Sequence, residues 1–343
     1  MLEHGGNLND AVIRYGIPRS DWLDLSTGIN PHAYPAPALR ADAWHRLPES
    51  NRALVDAACA YYGAPQLLPV AGTQAAIQAL PQLRWRRSGA ARVVVAAPAY
   101  AEHAHRWAHA GHAMREVAYA ALPAALDACD VMVVCNPNNP TGARVAPATL
   151  LAWAQQLAAR GGWLVVDEAF GDTTPEVSVA GHVDQPGLIV LRSVGKFFGL
   201  AGMRLGFVGA QAQLLDALQD WLGPWSVSGP AQDIGAAALQ DLAWQQSTRA
   251  SLLAQGLRLQ NLLAGYGIQS SGSALYQWWL QPQAAAFHEW MAQQGIWVRL
   301  FTRGAGGIRL GLPPDERSWG RLQAALQGWN EMTGLQHAGG STA

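Results

Sequence analysis

The sequence predicts an α/β protein in which a mostly parallel sheet carries helices on both faces. Between residues 65 and 210, short runs rich in β-branched residues alternate with segments of helical periodicity. Half of the 343 residues are hydrophobic, so the chain has ample material for a core. That length suits one large domain or two modest ones.

The predicted elements follow from periodicity and from turn residues in chain order. Helical spacing predicts helices over 51–63, 74–80, 150–160, 210–222 and 231–263. Apolar runs bounded by turns predict strands over 92–97, 130–135, 163–167, 188–191, 276–280, 296–300 and 308–312.

A turn-rich segment, 223–230, interrupts the second half of the chain and marks a domain boundary. We therefore predict a large domain over 36–229. A smaller α+β domain combines 1–35 with 230–335. The small, polar residues 336–343 are expected to form a flexible tail.

Composition excludes several classes of function. The formal charge of −1 argues against a nucleic-acid or anionic-membrane partner. Three cysteines without Cys-x-x-Cys spacing indicate a reducing compartment and no structural metal. No signal peptide and no run long enough to span a bilayer is visible, so we expect a soluble cytoplasmic protein.

The segment Ser193–Gly206 carries the clearest chemical signal. Lys196 lies among small and apolar residues, and an amine in a desolvated pocket becomes a good nucleophile. Ser193 and Arg204 are residue types that hold a phosphate. From these residues alone, a lysine whose stem is simply buried in a Gly-rich loop is an equal alternative.

The same segment resembles the signature Ser-x-x-Lys-x-x-Gly-x-x-Gly-x-Arg of the class I aminotransferases, and every defined position matches. The resemblance implies the fold type I architecture and pyridoxal 5′-phosphate as cofactor. It implies that Lys196 binds the cofactor covalently and that Ser193 and Arg204 contact its phosphate.

Two further segments fit the cofactor in this comparison. Gly72, Thr73 and Gln74 open a predicted helix, whose positive end suits a phosphate. A turn of this kind is by itself more often a simple N-cap. Tyr100 follows the 92–97 strand, and its ring suits stacking on a pyridine.

The polar ends of two other strands complete the expected cofactor site. The resemblance implies that Asn139, within the turn 136–142, donates to the phenolic oxygen of the cofactor. Asp167 ends an apolar strand, where a carboxylate needs a cation. In the family that cation is the pyridine nitrogen, which makes Asp167 the second catalytic candidate beside Lys196.

The sequence departs from the aminotransferase pattern at two positions. Phe170 stands where the family usually has tyrosine, so one hydrogen bond to the cofactor is absent. Leu47 precedes Pro48 where relatives often have Tyr-Pro reaching the partner subunit's cofactor. The family resemblance still implies a homodimer.

Candidate substrate residues lie at both ends of the chain. Arg309, in a short apolar strand, is either a structural salt-bridge residue or, as the resemblance implies, the fork that binds the substrate carboxylate. Arg299 is a candidate for a second anionic group. The N-terminal turns place His4, Gly5, Thr27 and Asn30 as candidates for gripping a substrate phosphate.

Four histidines over 103–112 invite a metal hypothesis, because His105 and His109 are spaced i, i+4. No carboxylate or cysteine completes a site in that pattern, so we predict no metal.

The N-terminal turns and the Asp167–Phe170 segment resemble those of the threonine-phosphate decarboxylases of cobalamin biosynthesis. That resemblance implies decarboxylation of L-threonine O-3-phosphate. The alternative is a histidinol-phosphate aminotransferase, which has the same fold and a phosphorylated substrate. A regulatory protein that binds the cofactor without turnover is disfavoured, because no basic helix-turn-helix module fits before residue 65.

Overall fold

The computed structural model describes residues 5–302 and 306–334. The predictions for His4 and for the tail 336–343 therefore lie outside the described residues. Helices occupy α1 (Leu8–Tyr15), α2 (Arg52–Tyr62), α3 (Thr73–Ser88), α4 (Ala101–His109), α5 (Leu122–Ala125), α6 (Pro147–Ala158), α7 (Ala212–Leu222), α8 (Gly229–Gln240), α9 (Leu242–Gly265), α10 (Ala284–Gln293) and α11 (Glu316–Thr333).

Strands occupy β1 (Leu23–Asp24), β2 (Leu68–Val70), β3 (Arg92–Ala97), β4 (Ala113–Ala118), β5 (Val131–Cys135), β6 (Trp163–Asp167), β7 (Leu188–Ser193), β8 (Gly206–Gly209), β9 (Ser271–Ser273), β10 (Tyr276–Leu280), β11 (Ile296–Trp297), β12 (Arg299–Phe301) and β13 (Gly307–Gly311).

The described residues divide into two compact units. The large unit is Ala33–Arg249, and the small unit comprises the described parts of Met1–His32 and Ala250–Ala343. The predicted boundaries at 35/36 and 229/230 stay a prediction.

The large unit contains a seven-stranded sheet in the order β2-β8-β7-β6-β5-β3-β4. The β7-β6-β5-β3-β4 pairs are parallel, whereas β8 runs antiparallel to both β7 and β2. The α/β prediction with a mostly parallel sheet is confirmed. Strands β5, β6 and β7 are buried on both faces, as expected when helices cover a parallel sheet.

One face of this sheet packs against α3, α4 and α7. Ile77 and Leu80 of α3 and Trp107 of α4 are buried against strand residues such as Val93 and Val165. Burial of this kind is the main favourable term in holding the strands in place. The strand ends are therefore fixed points from which loops present side chains.

The small unit contains an antiparallel sheet, β12-β13-β10-β9, and a parallel pair, β1-β11. The sequence predicts one strand over 296–300, and that prediction is wrong in detail. The chain forms β11 against β1, leaves the ladder at Val298, and then forms β12 against β13. Periodicity does not reveal this switch because each strand's partner lies elsewhere in the chain.

Several short elements also escaped the sequence patterns. Strand β4 has mostly exposed or half-buried residues, and β8 is only four residues long. Helix α3 runs on through Pro81 to Ser88, beyond the predicted end at Leu80. Within the described residues, no helix combines the length and apolar character needed to cross a membrane.

Candidate active site

The carboxyl ends of β5, β6 and β7 meet at one edge of the large sheet. Cys135 pairs with Asp167, and Asp167 pairs with Leu191, two residues before Ser193. Lys196 follows Ser193 in the next turn. The carboxyl edge of a parallel sheet is where α/β proteins bind ligands. The fold thus brings three sequence-predicted residues, Asp167, Ser193 and Lys196, to one edge of the sheet.

Asp167 is held rigidly at this edge. Its carboxylate is only 5% exposed, and its Oδ2 lies 2.8 Å from Nε2 of His103 in α4. The backbone N–H of Ala169 donates to Oδ1 at 3.0 Å. His103 is itself buried. These two contacts fix the carboxylate in position, so it can hold a proton on a neighbouring nitrogen without reorganising.

Cys135 lies beside the same pair. One ligand atom from each of His103, Cys135 and Asp167 falls within a 4.8 Å cluster. Burial, and secondly the charge of Asp167, raises the pKa of Cys135 well above its usual range, so the thiol stays neutral. The carboxylate and the thiol come from strands β6 and β5, so the sequence pattern of the four histidines did not reveal that they lie beside His103. Within this cluster, the 2.8 Å hydrogen bond joins Asp167 and His103 directly.

An anion cradle forms where α3 begins. Gly72 precedes the helix with a φ of 71°, a conformation that favours glycine. A Cβ at this position would lie 2.5 Å from Nη2 of Arg204, so the guanidinium occupies the space of a side chain. The N-terminal N–H groups of α3, including that of Thr73, add a positive potential. A helix N-terminus and a guanidinium are both donors of the kind that phosphate recognition uses.

Arg204 is held in a special conformation at this cradle. Its φ of 56° is left-handed, which is uncommon for a residue with a side chain. Its Nη1 donates to the carbonyl of Ala201 at 2.9 Å. Ser193, at the end of β7, accepts a hydrogen bond from the N–H of Gly195 at 3.2 Å through its Oγ. Both predicted phosphate residues are thus tied to their local turns.

The side chain of Gln74 points toward α4. Its Nε2 donates to Glu102 at 2.7 Å, and its Oε1 accepts from the Tyr100 hydroxyl at 3.2 Å. This leaves the backbone N–H of Gln74, in the first turn of α3, as the group suited to an anion. Burial, followed by the charge of Glu102, raises the pKa of Tyr100 to about 12, so its phenol is neutral.

The amine of Lys196 lies 5.6 Å from the ring centre of Phe170. Lys196 is half-buried, and Phe197 and Phe198 after it are fully buried. Phe170 is 6% exposed, so the family tyrosine is replaced by a buried hydrocarbon ring facing the amine. Lys196 is also the only lysine among the 343 residues. The presence of a single lysine points to Lys196 from the sequence alone, but the motif comparison did not use it.

The asparagines of the turn 136–142 have different structural tasks. Asn136 accepts from the N–H of Val145 at 2.8 Å, and Asn138 donates to the carbonyl of Pro98 at 2.8 Å. Both are fully buried. Asn139 is half-buried. The first two brace the turn, and Asn139 is the most exposed of the three asparagines.

A buried ionic network supports the segment that follows Asp167. Arg192 donates to Glu168 at 2.6 Å and to Asp172 at 3.0 Å. Glu168 also accepts from the N–H of Val179 at 2.8 Å. The Arg192 guanidinium stacks on Tyr62 at 4.3 Å. Sequence reasoning did not identify this network, because its members come from separate elements.

In the small unit, Arg309 of β13 is buried at 7% exposure. Its Nη2 donates to the carbonyl of Ser26 at 2.7 Å. Its guanidinium carbon lies 5.3 Å from the ring centre of Tyr276 and 5.9 Å from that of Phe301. The aromatic faces fix the plane of the guanidinium, which suits a fork that receives a carboxylate.

Arg299 stands directly opposite Arg309 in the β12–β13 register. Its guanidinium carbon lies 5.4 Å from the same Phe301 ring. Burial lowers the pKa of Arg309 to about 10, and the positive charge of Arg299 adds to this effect. The guanidinium is still charged at neutral pH. Like charges at paired positions repel, and a bound anion relieves that repulsion.

Ser26 organises the N-terminal turns around these arginines. It is 1% exposed, its Oγ accepts from the N–H of Gly6 at 2.9 Å, and it donates to Asp24 at 2.6 Å. A Cβ on Gly5 would lie 2.6 Å from the Ser26 carbonyl, which is also the acceptor for Arg309. The sequence pattern indicated the turn but did not identify Ser26 as its centre.

The other predicted substrate residues lie in the same turns. Thr27 is half-buried, and its carbonyl lies where a side chain on Gly311 would be. Asn30 is buried, and its Oδ1 accepts from the N–H of His32 at 2.9 Å. The structure therefore gathers Gly5 and Thr27 beside the Arg309 strand, whereas the Oδ1 of Asn30 caps its own turn.

Comparison with known proteins is consistent with these features. The family model "Aminotransferase class I and II" matches residues 20–326. The chain is 54% identical to a threonine-phosphate decarboxylase of Pseudomonas aeruginosa, over 96% of this chain and 99% of that one. It is 44% identical to the enzyme of the same name from a Sinorhizobium species, over 95% of this chain and 97% of that one.

A solved structure extends the comparison to the fold. Histidinol-phosphate aminotransferase from Sinorhizobium meliloti, in complex with pyridoxal 5′-phosphate, superposes with a TM-score of 0.81 at 21% identity. The match covers 97% of this chain and 96% of that one. At this identity the likeness concerns the fold alone.

Proposed function

The chain belongs to the class I and II aminotransferase family, and from that premise we propose that it decarboxylates L-threonine O-3-phosphate. The products are CO2 and (R)-1-amino-2-propanol O-2-phosphate, a precursor of the nucleotide-loop linker of cobalamin. The observation that carries this conclusion is the identity to the Pseudomonas aeruginosa enzyme over nearly the full length of both chains. The sequence-based prediction of a threonine-phosphate decarboxylase is confirmed.

The donor set of the large unit fits pyridoxal 5′-phosphate. The cradle of Gly72, Arg204 and the α3 N-terminus suits the phosphate. The buried carboxylate of Asp167 suits the pyridine nitrogen, and the half-buried amine of Lys196 suits the aldehyde. When bound, this cofactor supplies a ring that accepts the electron pair of the bond broken at Cα.

We assign distinct roles to the residues around the cofactor. Asp167, positioned by His103, holds a proton on the pyridine nitrogen. Tyr100 supports the flat face of the ring, and Asn139 donates to its phenolic oxygen. Lys196 delivers a proton from Nζ to Cα after the carboxylate leaves as CO2, which balances the reaction.

The small unit supplies the substrate-binding groups in this proposal. Arg309 receives the carboxylate as a bidentate fork, and Arg299 attracts the second anionic group. Gly5, Thr27 and Asn30 present backbone and side-chain groups of the N-terminal turns to the substrate phosphate. The phosphorylated amino acid carries two anionic groups, which matches the two arginines paired in register.

We also propose that the enzyme is a homodimer in the cytoplasm. Trp44, Leu47 and Trp225 are 77%, 63% and 59% exposed, which is unusual for large apolar side chains. A Cβ on Gly229 would lie 2.7 Å from the Ala43 carbonyl, so the start of α8 packs closely against the segment that precedes Trp44. The described cysteines are all unpaired, as expected in a reducing compartment.

The test is incubation of cofactor-loaded protein with L-threonine O-3-phosphate while CO2 and the cofactor spectrum are followed. Stoichiometric CO2 release with the cofactor retained in its aldehyde form supports the proposal. The competing result is no CO2, with histidinol phosphate converting the cofactor to its amine form and 2-oxoglutarate restoring it. That outcome would identify a histidinol-phosphate aminotransferase instead.

A further inference from the structure

A cavity lies at the edge of the large sheet opposite to that of Asp167. Trp163 and Leu188, the first residues of β6 and β7, line it together with Arg84 and Arg87 of α3. Its volume is about 210 Å³. Asp167 ends β6 four residues beyond Trp163, so the two edges are separated by roughly 13 Å of strand. The cavity is therefore distinct from the candidate active site.

Arg84 is the central feature of this cavity. It is 9% exposed, and its Nη1 donates to Ser88 Oγ at 3.2 Å and to the Gly161 carbonyl at 3.0 Å. Its guanidinium carbon lies 5.4 Å from the ring centre of Trp163. Its Nε is buried without a hydrogen-bond partner among the described residues. Contacts with Ser88, Gly161 and Trp163 thus fix the Arg84 guanidinium in the wall of the cavity.

No carboxylate neutralises Arg84 within the described chain. The ion pairs between described residues do not include it, and none of the residues lining the cavity is acidic. Asp130, the nearest acidic influence, is paired with Arg92 at 2.7 Å. Burial lowers the pKa of Arg84, the charge of Asp130 opposes this effect, and the charge of Arg87 adds to it. A buried cation that is only partly balanced is stabilised when an anion binds beside it.

Two further features make the cavity positive. Arg87 is exposed at its mouth and supplies a second guanidinium. Gln211 and Gln213 also line it, and they flank the start of α7. The N-terminus of an eleven-residue helix contributes N–H donors and a positive potential. The positive groups therefore come from two independent elements, α3 and α7.

We propose that this cavity binds a phosphate group, either as inorganic phosphate or as a small phosphate monoester. Two guanidiniums and a helix N-terminus are the donors that phosphate recognition uses. The volume corresponds to several water molecules of about 30 Å³ each, and it is below the roughly 300 Å³ at which pockets for larger ligands begin. A small oxyanion fits this volume.

The experiment is a titration of the cofactor-loaded enzyme with inorganic phosphate, and separately with glycerol 3-phosphate, by calorimetry. Saturable binding of either ligand is expected, and the tighter of the two identifies the source of the phosphate. Arg87→Gln, a change at an exposed position, should raise the dissociation constant about tenfold or more. Turnover of the substrate should be unchanged in this variant.

Arg86→Gln is the matched control. Arg86 is also exposed on α3, but it lies 5.1 Å from the Trp221 ring centre and does not line the cavity. The Arg86→Gln enzyme should bind phosphate with the same affinity as the wild-type enzyme. An Arg299→Gln enzyme, which lacks the group proposed to attract the second substrate anion, should retain the phosphate site of the cavity, and this result separates that site from the substrate site. Equal affinities in the Arg87→Gln and wild-type enzymes, or no saturable binding, would overturn the proposal.

Discussion

Arg192 in the large unit and Arg309 in the small unit are both buried arginines, yet their surroundings differ in sign. Arg192 lies between Glu168 and Asp172, at 2.6 Å and 3.0 Å. Arg309 faces another arginine, Arg299, across a strand pair. Burial alone lowers the pKa of a guanidinium, but the two carboxylates raise that of Arg192. The pKa of Arg309 instead falls to about 10.

The difference indicates a structural role for Arg192 and a ligand-binding role for Arg309. A guanidinium between two carboxylates has its charge balanced by the protein, and it braces the segment beside Asp167. A guanidinium opposite a like charge is stabilised when an anion arrives. We therefore assign cofactor positioning to the large unit and recognition of the substrate anions to the small unit.

The largest effect should come from Lys196→Ala. Removal of the amine takes away both the covalent anchor and the proposed proton donor, so CO2 release should fall by at least about 10⁴-fold. Borohydride treatment of the cofactor-loaded wild type should attach the cofactor at the single lysine, as read by peptide mass mapping. The variant should not be labelled there. Retained turnover would mean that the large unit does not carry the chemistry.

Arg192→Met tests the structural role assigned to Arg192. The change leaves Glu168 and Asp172 buried without their shared cation, so the free energy of unfolding should fall by about 3–5 kcal/mol. Urea unfolding followed by circular dichroism measures this. Arg309→Met should cost less, because burial and the positive charge of Arg299 already disfavour the charged guanidinium at this position. Equal losses of unfolding free energy in the two variants would contradict the different roles assigned to Arg192 and Arg309.

A smaller effect concerns His112, a buried group of the large unit. Its Nδ1 accepts from the N–H of Ala91 at 3.0 Å, and its Nε2 lies 2.9 Å from the Pro81 carbonyl. Burial lowers the pKa of His112, so the folded state prefers the neutral ring. Its contribution to stability is complete above the ordinary pKa of about 6.5 and is lost as the pH falls below it.

The melting temperature should therefore decline between pH 6.5 and 5 more steeply in the wild type than in His112→Gln. The glutamine does not titrate, which makes it the suitable comparison. Parallel curves for the two proteins would show that His112 does not contribute to this acid sensitivity.

The sequence allowed prediction of those site residues that belong to one continuous segment or to the end of a recognisable strand. Lys196, Ser193 and Arg204 belong to one motif, and Asp167 ends an obvious strand, so their grouping at one sheet edge was predictable. The partner of Asp167 was not, because His103 comes from a helix 64 residues away. The pairing of Arg299 with Arg309 was likewise hidden, since it depends on strand register.

The same limit applies to the fold. Strands that are buried on both faces, such as β5 and β6, were predicted from their apolar runs. Strand β4 was missed because its residues are mostly exposed, and its place at the sheet edge is set by pairing with β3. Local sequence patterns indicate which strands are buried. Which strand lies at a sheet edge, which register it takes and where the chain changes sheets depend on residues that are distant in the sequence.

The most direct test of the division between the two units is kinetic analysis of Arg309→Met. Cofactor loading, its absorbance and its attachment to Lys196 should match the wild type, while kcat/KM for L-threonine O-3-phosphate should fall roughly 30-fold or more. Arg258→Met, which alters a surface ion pair with Glu316 in the same unit, is the control and should leave kcat/KM unchanged. Loss of cofactor binding in Arg309→Met, or an unaltered kcat/KM, would contradict the division.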